Sequence, residues 1–564
     1  MSSAGAARAK RGAPLRFSRN RNESRRKISE VAARASRRVV HRPRRGRSRL
    51  ARERPPPSGP PFHSDSRRLR MPYGAPQLLA PASIPVDPIV RLSAGELASA
   101  IRGKAVSCVE TMRAYLDHVE RVNGAVNAIV ALRDRDVLLA EAAEKDAALA
   151  RGEYHGWMHG MPQAPKDLAM TKGLRTTYGS PIFRENVPQA DSVCVARMRA
   201  AGAIFIGKTN TPEFGLGSHT FNEVYGATRN PYDLTKSAGG SSGGTAAALA
   251  SRMLPVADGS DFGGSLRNPA AFCNIYGFRP SQGRVPRWPG VDVFVQQLGI
   301  EGPMGRTVGD VAQLLAIQAG YDRNDPLSLA DDPAVFAQPL DADLRGKRIA
   351  WVGDWNGYLA TEAGVLALCE QGLATLREIG CDVDAALPAF APDRIWRLWL
   401  AHRHLLSGGG LLALYRDPAR RALLKPEAIY EVEGLLAMQG AAVFDASVER
   451  TAWHQAVLSF FDRYDFIAAP TAQVFPFDVD QRWPKEIAGR AMDTYHRWME
   501  TVVPWTLAGC PVISVPVGFN DAGLPMGMQL IGRPRADLAV LQLARGYEKA
   551  ADRVGGRVPA WMAA

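Results

Sequence analysis

Two Gly-Gly-Ser units lie 24 residues apart in the middle of the chain, at Gly239–Ser241 and at Gly263–Ser265. Glycine before a serine permits unusual backbone angles and lets backbone N–H groups approach a reacting group. N–H groups that converge in such a turn can stabilise the oxyanion of an acyl-transfer reaction. One unit alone would indicate only a turn. Two units, separated by an alanine-rich helical run and a short Pro-Val-Ala strand, indicate a pair of reactive serines.

The same glycines satisfy a second catalytic pattern. Gly239–Gly243 fits G-x-S-x-G, the nucleophile elbow of α/β-hydrolases, which would make Ser241 the nucleophile of an esterase. This alternative requires a strand directly before the serine, whereas Asn230–Ser237 looks like a turn. It also requires a downstream histidine, and the candidates lie in no obvious motif: His402, His404, His454 and His496. It leaves Ser265 unexplained and is less favoured. These glycines also do not match a phosphate-binding loop.

The order of the blocks resembles the amidase signature family. The family pattern GGSSGG, a helix, and then D-x-GGS-x-R-x-P-A is present from Gly239 to Ala270, and the upstream K-D pair of the family is Lys166-Asp167. Further family-like blocks are GKTNTPEF at 207–214, GPMGRTV at 302–308 and PMGMQLIG at 525–532. The resemblance extends from about residue 90 to the C-terminus and leaves out residues 1–70.

The resemblance implies a Ser-Ser-Lys triad. Ser265 would attack an amide carbonyl, Ser241 would relay its proton and later protonate the leaving amine, and Lys166 would be the general base. A general base must be neutral, whereas a free lysine has a pKa of about 10.4, so burial has to lower the pKa of Lys166. The family also has a cis peptide bond before the bridging serine, which would lie between Gly240 and Ser241.

The resemblance also assigns residues around the triad. Backbone N–H groups of the D-x-GGS loop would form the oxyanion hole, from Phe262, Gly263, Gly264 and Ser265. Gly215 occupies the position at which the family contacts bound substrate through its main chain. Three residues would hold the site in place without reacting: Ser242, Asp261 and Arg267.

Three residues depart from the family pattern. Pro165 precedes the lysine where Val or Ile is usual, and this alters the local backbone. Phe262 replaces a smaller Thr, Ile or Val, and its ring is expected to narrow the pocket beside the oxyanion hole. Leu266 in place of Ile or Val is a mild change. None of the three removes a catalytic atom.

The implied activity is hydrolysis of a linear carboxamide to a carboxylate and ammonia or an amine, through an acyl-enzyme on Ser265 and without a metal or cofactor. The alternative within the family is the amidotransferase component that acts on glutamine and needs partner proteins and charged tRNA. We expect a small-molecule amide as substrate, no obligate nucleic acid and no membrane span. A homodimer is an open alternative for the assembly.

Substrate choice in the family depends on variable regions, here residues 385–460 and 475–500. These regions carry five large aromatic residues: Trp396, Trp399, Trp453, Tyr495 and Trp498. They fit an aromatic-lined pocket for a hydrophobic or aryl carboxamide, and they fit ordinary core packing equally well by type. Each tryptophan taken singly favours core packing.

The elements that position the site follow from hydrophobic spacing. Capping boxes at Ser93 and Ser107 predict the starts of two helices. Short apolar strands such as Arg348–Val352 and Phe466–Ala469 alternate with helical patterns, which predicts an α/β fold. No linker follows residue 71, and the resemblance implies the amidase signature fold. We therefore predict one large α/β/α domain over residues 71–564, with a central mixed β-sheet covered by helices.

Positive charge is concentrated at the N-terminus. The whole chain has a net charge of +14, but residues 1–70 contain 22 Lys and Arg against four acidic residues, which leaves the remainder at −4. This distribution excludes a uniformly basic nucleic-acid-binding protein. Residues 1–70 are predicted to be a disordered basic extension. Met71 is an alternative translation start, and an arginine-rich transit peptide is a further alternative.

The cysteines and the longest apolar run bear on location. The six cysteines show no zinc-binding or redox spacing, which is typical of free thiols in a reducing compartment, and we predict a cytoplasmic protein. Val502–Phe519 has about the length of a membrane span, but three prolines and two glycines interrupt it. Buried strands and turns are therefore predicted for that run.

Overall fold

The computed structural model describes residues 86–295 and 297–562. The strands are β1 Ile129–Val130, β2 Pro162–Gln163, β3 Ile204–Phe205, β4 Lys208–Thr209, β5 Phe221–Asn222, β6 Gly226–Ala227, β7 Arg229–Asn230, β8 Asp233–Ser237, β9 Val256–Asp261, β10 Tyr276–Arg279, β11 Ile300–Gly305, β12 Arg348–Trp351, β13 Asp382–Ala385, β14 Phe466–Pro470, β15 Glu486–Ile487, β16 Arg490–Ala491, β17 Val512–Phe519 and β18 Pro525–Gly532.

The α-helices are α1 Pro88–Arg91, α2 Ala94–Arg102, α3 Cys108–Val126, α4 Arg135–Ala150, α5 Val193–Ala200, α6 Gly243–Ala250, α7 Arg267–Phe272, α8 Val308–Gln318, α9 Val365–Glu378, α10 Pro392–Arg403, α11 Gly409–Arg416, α12 Pro418–Arg421, α13 Pro426–Ala437, α14 Gly440–Phe461, α15 Val503–Ala508 and α16 Asp537–Ala550. A π-helical turn, His404–Gly408, joins α10 to α11. Both predicted capping boxes are present, since the Ser93 and Ser107 side chains each accept the backbone N–H of the glutamate three residues later.

Eight strands form the central sheet in the order β13-β12-β14-β18-β17-β10-β11-β9. The pairs β13/β12 and β12/β14 are parallel, and every later pair in the sheet is antiparallel. The predicted mixed sheet is therefore confirmed. In the register of β9 and β11, Asp261 lies opposite Ile300 and Ser260 lies opposite Glu301, which places the end of β9 at the sheet edge.

Helices cover both faces of this sheet because its strands are apolar on both sides. In β14, Phe466 and Ala468 pack into one hydrophobic cluster, whereas Ile467 and Ala469 pack into another. This alternation follows from the two-residue period of a strand. The first cluster includes buried residues of α8, α9 and α16, and the second includes buried residues of α10, α14 and α15. The layers are those of the predicted α/β/α arrangement.

Two local predictions need correction. The run Val502–Phe519 contains the short helix α15 as well as strand β17, because Pro504 stands in the first helical turn, where its missing N–H is tolerated. The predicted turn at Asn230–Ser237 is instead a hairpin of β7 and β8. Among the helices that the structure describes, none is long and apolar enough to cross a membrane. The predictions for residues 1–70 and the domain boundary at residue 71 lie outside the described residues.

Candidate active site

The two Gly-Gly-Ser units lie at the ends of neighbouring elements. Ser241 and Ser242 come directly before α6, and Ser265 lies in the loop between β9 and α7. The Ser242 backbone N–H donates to the Ser265 carbonyl oxygen at 3.2 Å, which ties the two loops together. The peptide bond between Gly240 and Ser241 is cis, as the resemblance implies.

Lys166 reaches the same point from a distant segment. Its backbone is held beside β4, since the Thr209 N–H donates to the Pro165 carbonyl oxygen at 3.1 Å and the Asp167 N–H donates to the Thr209 carbonyl oxygen at 3.0 Å. The Lys166 N–H donates to Asp258 Oδ2 at 3.2 Å. Pro165 can occupy its place because only its carbonyl group is needed there.

The Lys166 amine lies among serine hydroxyl groups. Its Nζ is 2.8 Å from Ser241 Oγ, 2.9 Å from Ser242 Oγ and 3.1 Å from Ser260 Oγ. The side chain is buried, with 1% of the residue exposed. Burial lowers the pKa of Lys166 to about 7, although the carboxylates of Asp261, Asp258 and Glu301 oppose that change. A substantial fraction of the amine is therefore neutral near pH 7, as a general base requires.

Ser241 and Ser265 line one cavity of about 590 Å³, and no hydrogen bond joins their hydroxyl groups in the described part of the chain. Ser265 is 6% exposed, so its Oγ is accessible only from this cavity. Gly215 lines the same cavity, and its φ of +69° favours glycine. A Cβ there would lie 3.3 Å from Ser241 Oγ and 2.8 Å from Leu168 Cδ1, so a side chain would crowd the relay serine.

Asp261 organises the loop that carries Ser265. Its carboxylate accepts hydrogen bonds from Arg267 Nε at 2.9 Å and from Arg279 Nη1 at 3.1 Å, and all three side chains are completely buried. The two guanidinium groups hold the pKa of Asp261 well below its usual range against the opposing effect of burial. Arg267 continues to the Val502 carbonyl oxygen and to Gln529 Oε1. Asp261 and Arg267 thus hold the loop in place, as the sequence predicted.

One member of the predicted oxyanion hole is already engaged. The Gly264 N–H donates to Asp261 Oδ1 at 2.9 Å, so this amide cannot also point at a developing oxyanion. The backbone N–H groups of Phe262, Gly263 and Ser265 have no acceptor among the described residues. The oxyanion hole predicted from the sequence is therefore corrected by one donor. Gly264 acts instead as a tight turn with a φ of +91°.

The sequence of the described region matches a known family. The model of the amidase family matches residues 110–541, which are most of the chain. The chain belongs to the amidase signature family. Amide C–N hydrolysis is the activity that this membership and the relatives below support, and the recognition made from the GGSSGG and D-x-GGS blocks is confirmed.

Relatives of this amidase have been named in two functional groups. An acylamidase from Rhodococcus erythropolis is 35% identical over 462 residues, which cover 81% of this chain and 95% of the relative. The glutamine-tRNA amidotransferase relative from Moorella thermoacetica, the A component of a glutamyl-tRNA(Gln) amidotransferase, is 35% identical over 483 residues, which cover 82% and 97%. The crystal structure of a bacterial aryl acylamidase of the amidase signature family superposes with a TM-score of 0.78 at 29% identity and covers 84% of this chain and 100% of that one.

The esterase alternative does not fit the geometry of the amidase. A strand does precede Ser241, contrary to the expected turn, but β8 belongs to a two-stranded hairpin outside the central sheet. The Ser241 hydroxyl is bonded to Lys166, and the four candidate histidines bond elsewhere among the described residues, His402 to the Leu398 carbonyl oxygen and His454 to that of Ala508. His404 and His496 lie beside Glu431. The alternative with Ser241 as an elbow nucleophile is therefore wrong.

A phosphate-binding pattern does occur away from the serines, at Gly202–Thr209, although the glycine-rich stretch has none. There the structure contains the short strands β3 and β4 rather than a loop that leads into a helix. Lys208 is completely buried, and its Nζ donates to the Ala169 carbonyl oxygen and to Thr171 Oγ1. This lysine therefore braces the segment that follows Lys166, and the match does not describe a phosphate site.

The aromatic residues of the variable regions are core residues. Trp396, Trp399 and Trp453 belong to one hydrophobic cluster and Tyr495 and Trp498 to another, and none of them lines the cavity. The alternative of an aromatic-lined pocket is therefore not supported for these side chains. Residues 475–500 contribute nothing to the cavity wall, whereas residues 385–460 contribute Arg403 and the turn around Leu405–Leu411.

Two functional residues were missed from the sequence. Ser260 Oγ lies 3.1 Å from Lys166 Nζ, and Arg403 lines the cavity. The strand period offered a signal for Ser260, because Asp258 and Ser260 alternate along β9 and so share one face, which is the face toward Lys166. No local pattern marks Arg403.

Proposed function

We propose that Ser265 is the nucleophile, that Ser241 relays protons and that Lys166 is the general base of this amidase. The observation that carries the proposal is the Lys166 amine, which is buried among hydroxyl groups with Ser241 Oγ at 2.8 Å and has a pKa lowered to about 7. A surface lysine beside an aspartate would show neither property. Ser242 and Ser260 supply the remaining polar contacts, which orient the amine toward Ser241.

The chemistry follows from this order of groups. Lys166 accepts the Ser241 proton while Ser241 accepts the Ser265 proton, and Ser265 Oγ forms a bond to the amide carbonyl carbon. Backbone N–H groups of Phe262, Gly263 and Ser265 stabilise the oxyanion. The C–N bond breaks as the relayed proton passes to the leaving nitrogen. Water then attacks the acyl-enzyme by the same relay and releases a carboxylate. The Ser241 to Ser265 hydrogen bond forms as substrate binds, because substrate closes the cavity between them.

The substrate we propose is a linear carboxamide with a hydrophobic or aryl group. The cavity offers apolar walls on opposite sides, formed by Leu168, Phe214, Phe262, Ile300 and Leu406. The acylamidase and aryl acylamidase relatives support the same class. The narrower assignment, to the class of amidases that act on simple linear amides, belongs to this proposal.

Release of ammonia or amine from a panel of aliphatic, aryl and amino-acid amides tests the activity. Ser265→Ala is expected to abolish turnover, and Lys166→Ala is expected to lower kcat by several orders of magnitude, since members of one catalytic unit each cost nearly its whole effect. Thermal melts show whether the variants are folded. Ser251→Ala is a matched control, because Ser251 follows α6 and bonds to the Ala247 carbonyl oxygen away from Lys166. Wild-type turnover in Ser265→Ala would contradict the proposal.

The glutamine-dependent amidotransferase component is the second candidate, because the relative from Moorella thermoacetica matches this chain as well as the acylamidase does. The two candidates differ in what the purified chain can do alone. Hydrolysis of simple amides without partners favours the amidase, whereas ammonia transfer that appears only after partner proteins, glutamine and charged tRNA are added favours the second candidate. The cytoplasmic location and the homodimer stay predictions.

A further inference from the structure

Arg403 is a buried cation in the cavity wall that the proposed mechanism does not use. It is the last residue of α10, is 4% exposed and lines the cavity that contains Ser241 and Ser265. Two of its three guanidinium nitrogens are engaged, Nε with Glu431 Oε1 at 3.2 Å and Nη2 with the Tyr495 hydroxyl at 3.0 Å. Its Nη1 has no hydrogen-bond partner in the described part of the chain. A free N–H donor therefore belongs to the cavity wall.

Aromatic packing places this donor beside the oxyanion loop. The guanidinium carbon lies 4.7 Å from the centre of the Phe262 ring and 5.8 Å from that of Trp399. The two rings pack edge to face at 5.7 Å. A Cβ at Gly263 would lie 2.9 Å from the Trp399 ring, so the ring rests on the backbone of the same loop. The guanidinium group therefore has one orientation relative to Ser265, rather than that of a freely rotating surface arginine.

The charge of Arg403 is already balanced within the protein. Glu431 is completely buried and also accepts a hydrogen bond from the Tyr495 hydroxyl and has His404 Nδ1 at 2.9 Å. Hydrogen bonds and the adjacent Arg403 hold the pKa of Glu431 well below its usual range. A carboxylate on the substrate would add a second buried negative charge without a free cation to pair with it. An uncharged acceptor oxygen satisfies the free N–H without that penalty.

We propose that Arg403 Nη1 donates a hydrogen bond to an uncharged acceptor oxygen, such as a carbonyl oxygen, in the part of the amide substrate that lies away from the scissile bond. The inference rests on the proposed amidase function and narrows its substrate class. Arg403 is then a specificity-determining residue. Amides that present only hydrocarbon to this wall leave a buried donor unpaired, and they are poorer substrates for that reason.

Isosteric substituents test this inference. Three benzamides and three acetanilides carry acetyl, isopropyl or carboxylate at the para position, so that the probe lies on the acyl side in one series and on the amine side in the other. These substituents have nearly the same shape. For the wild-type enzyme, kcat/KM of the acetyl compound is expected to exceed that of the isopropyl compound by roughly ten- to a hundredfold in one series, the effect of a hydrogen bond to a charged donor. The carboxylate compound is expected to be no better than the isopropyl compound.

The variants separate the hydrogen bond from the buried charge. Arg403→Met removes the donor, and its acetyl-to-isopropyl ratio of kcat/KM is expected to fall to about one. Because this variant leaves Glu431 unpaired, the double variant Arg403→Met with Glu431→Gln removes both charges and keeps the test valid if the single variant does not fold. Arg397→Met is the control, since Arg397 lies on the same helix but is exposed and pairs with Asp393. The control is expected to keep the wild-type ratio.

Each outcome has a distinct meaning. If the wild-type protein hydrolyses none of the six amides or any amide of the wider panel, both the proposed function and this inference are overturned. If the wild-type protein hydrolyses them but its ratio persists in the folded double variant, only the role of Arg403 is overturned. If the carboxylate compound is the best substrate, the uncharged acceptor is wrong.

Discussion

Lys166 shows how one placement changes the chemistry of a side chain. In water its amine would be charged near pH 7, but here it is buried among the hydroxyl groups of Ser241, Ser242 and Ser260. Burial in a site of low polarity disfavours the charged form. Three carboxylates limit that effect without lying in contact with the amine, so the pKa of Lys166 stays at about 7 rather than falling further.

The pH dependence of kcat/KM tests this account of Lys166. The neutral amine is the active form and is populated above its pKa, so kcat/KM should rise as the pH rises through about 7 and then level off. The charge of Glu301 raises the pKa of Lys166, so Glu301→Gln is expected to shift the rising limb to lower pH. Glu378→Gln, an exposed site on α9, should leave the profile in place. A profile that falls through pH 7, or a shift to higher pH in Glu301→Gln, would contradict this role.

At the residue scale, the sequence predicted side-chain identity better than backbone geometry. The D-x-GGS loop was recognised, but the Gly264 amide bonds to Asp261 Oδ1 and is lost to the oxyanion hole. That bond depends on the orientation of a carboxylate that two buried arginines fix from outside the loop, Arg267 and Arg279. A motif records which residues occur in order and does not record which amide a neighbouring side chain has already engaged.

At the element scale, helix α6 must lie very close to the segment after β4 for the serines to reach Lys166. The Gly244 N–H donates to the Asn210 carbonyl oxygen at 3.2 Å. A Cβ at Gly244 would lie 2.2 Å from the Asn210 backbone nitrogen, which no side-chain rotation can relieve. The glycines after Ser242 therefore serve this close approach of two backbones, and helix propensity does not explain them.

Substitution of Gly244 by alanine tests this close packing. In an open helix, glycine to alanine stabilises by up to about 1 kcal/mol. Gly244→Ala is expected to do the opposite and lower both the melting temperature and kcat, because α6 must move away from Asn210. Gly124→Ala in α3 is the matched control, since a Cβ there meets no atom within 4 Å, and it should raise the melting temperature slightly. Equal effects of the two substitutions in thermal melts would refute the packing argument.

Elements were predicted well where their signals are local. The capping boxes at Ser93 and Ser107 mark helix starts because the cap hydrogen bonds lie within four residues. The hairpin at Asn230–Ser237 was missed because its strands are held from outside, and Lys236 in β8 forms a bridge with the remote Asp478. Helix α15 was missed because its apolar composition fits a buried helix and a buried strand equally well.

At the scale of the whole molecule, charge and catalysis occupy different parts of the chain. The family match covers residues 110–541, whereas the excess positive charge lies in residues 1–70. A chain that begins at Met71 has a net charge of −4 instead of +14. The basic segment is therefore expected to affect what the protein adheres to and not how it hydrolyses amides.

Deletion of residues 1–70 tests this separation. The shortened chain is expected to keep kcat/KM for its best amide within about twofold, since all proposed catalytic residues lie within the family match. Binding of the full chain to a DNA duplex, measured by fluorescence anisotropy, is expected to weaken steeply between about 50 and 200 mM salt and to be absent from the shortened chain. Loss of amide hydrolysis on deletion would place part of the active enzyme in the basic segment.

The sequence by itself determined which side chains carry the chemistry, because Lys166, Ser241 and Ser265 stand in short ordered motifs whose residue types are those that amide hydrolysis needs. The tertiary structure alone decided their properties. The lowered pKa of Lys166, the engaged amide of Gly264 and the free N–H of Arg403 all arise from burial and from contacts between segments far apart in the chain. Solvation and hydrogen-bond partners depend on three-dimensional neighbours, and these exist only once the chain has folded.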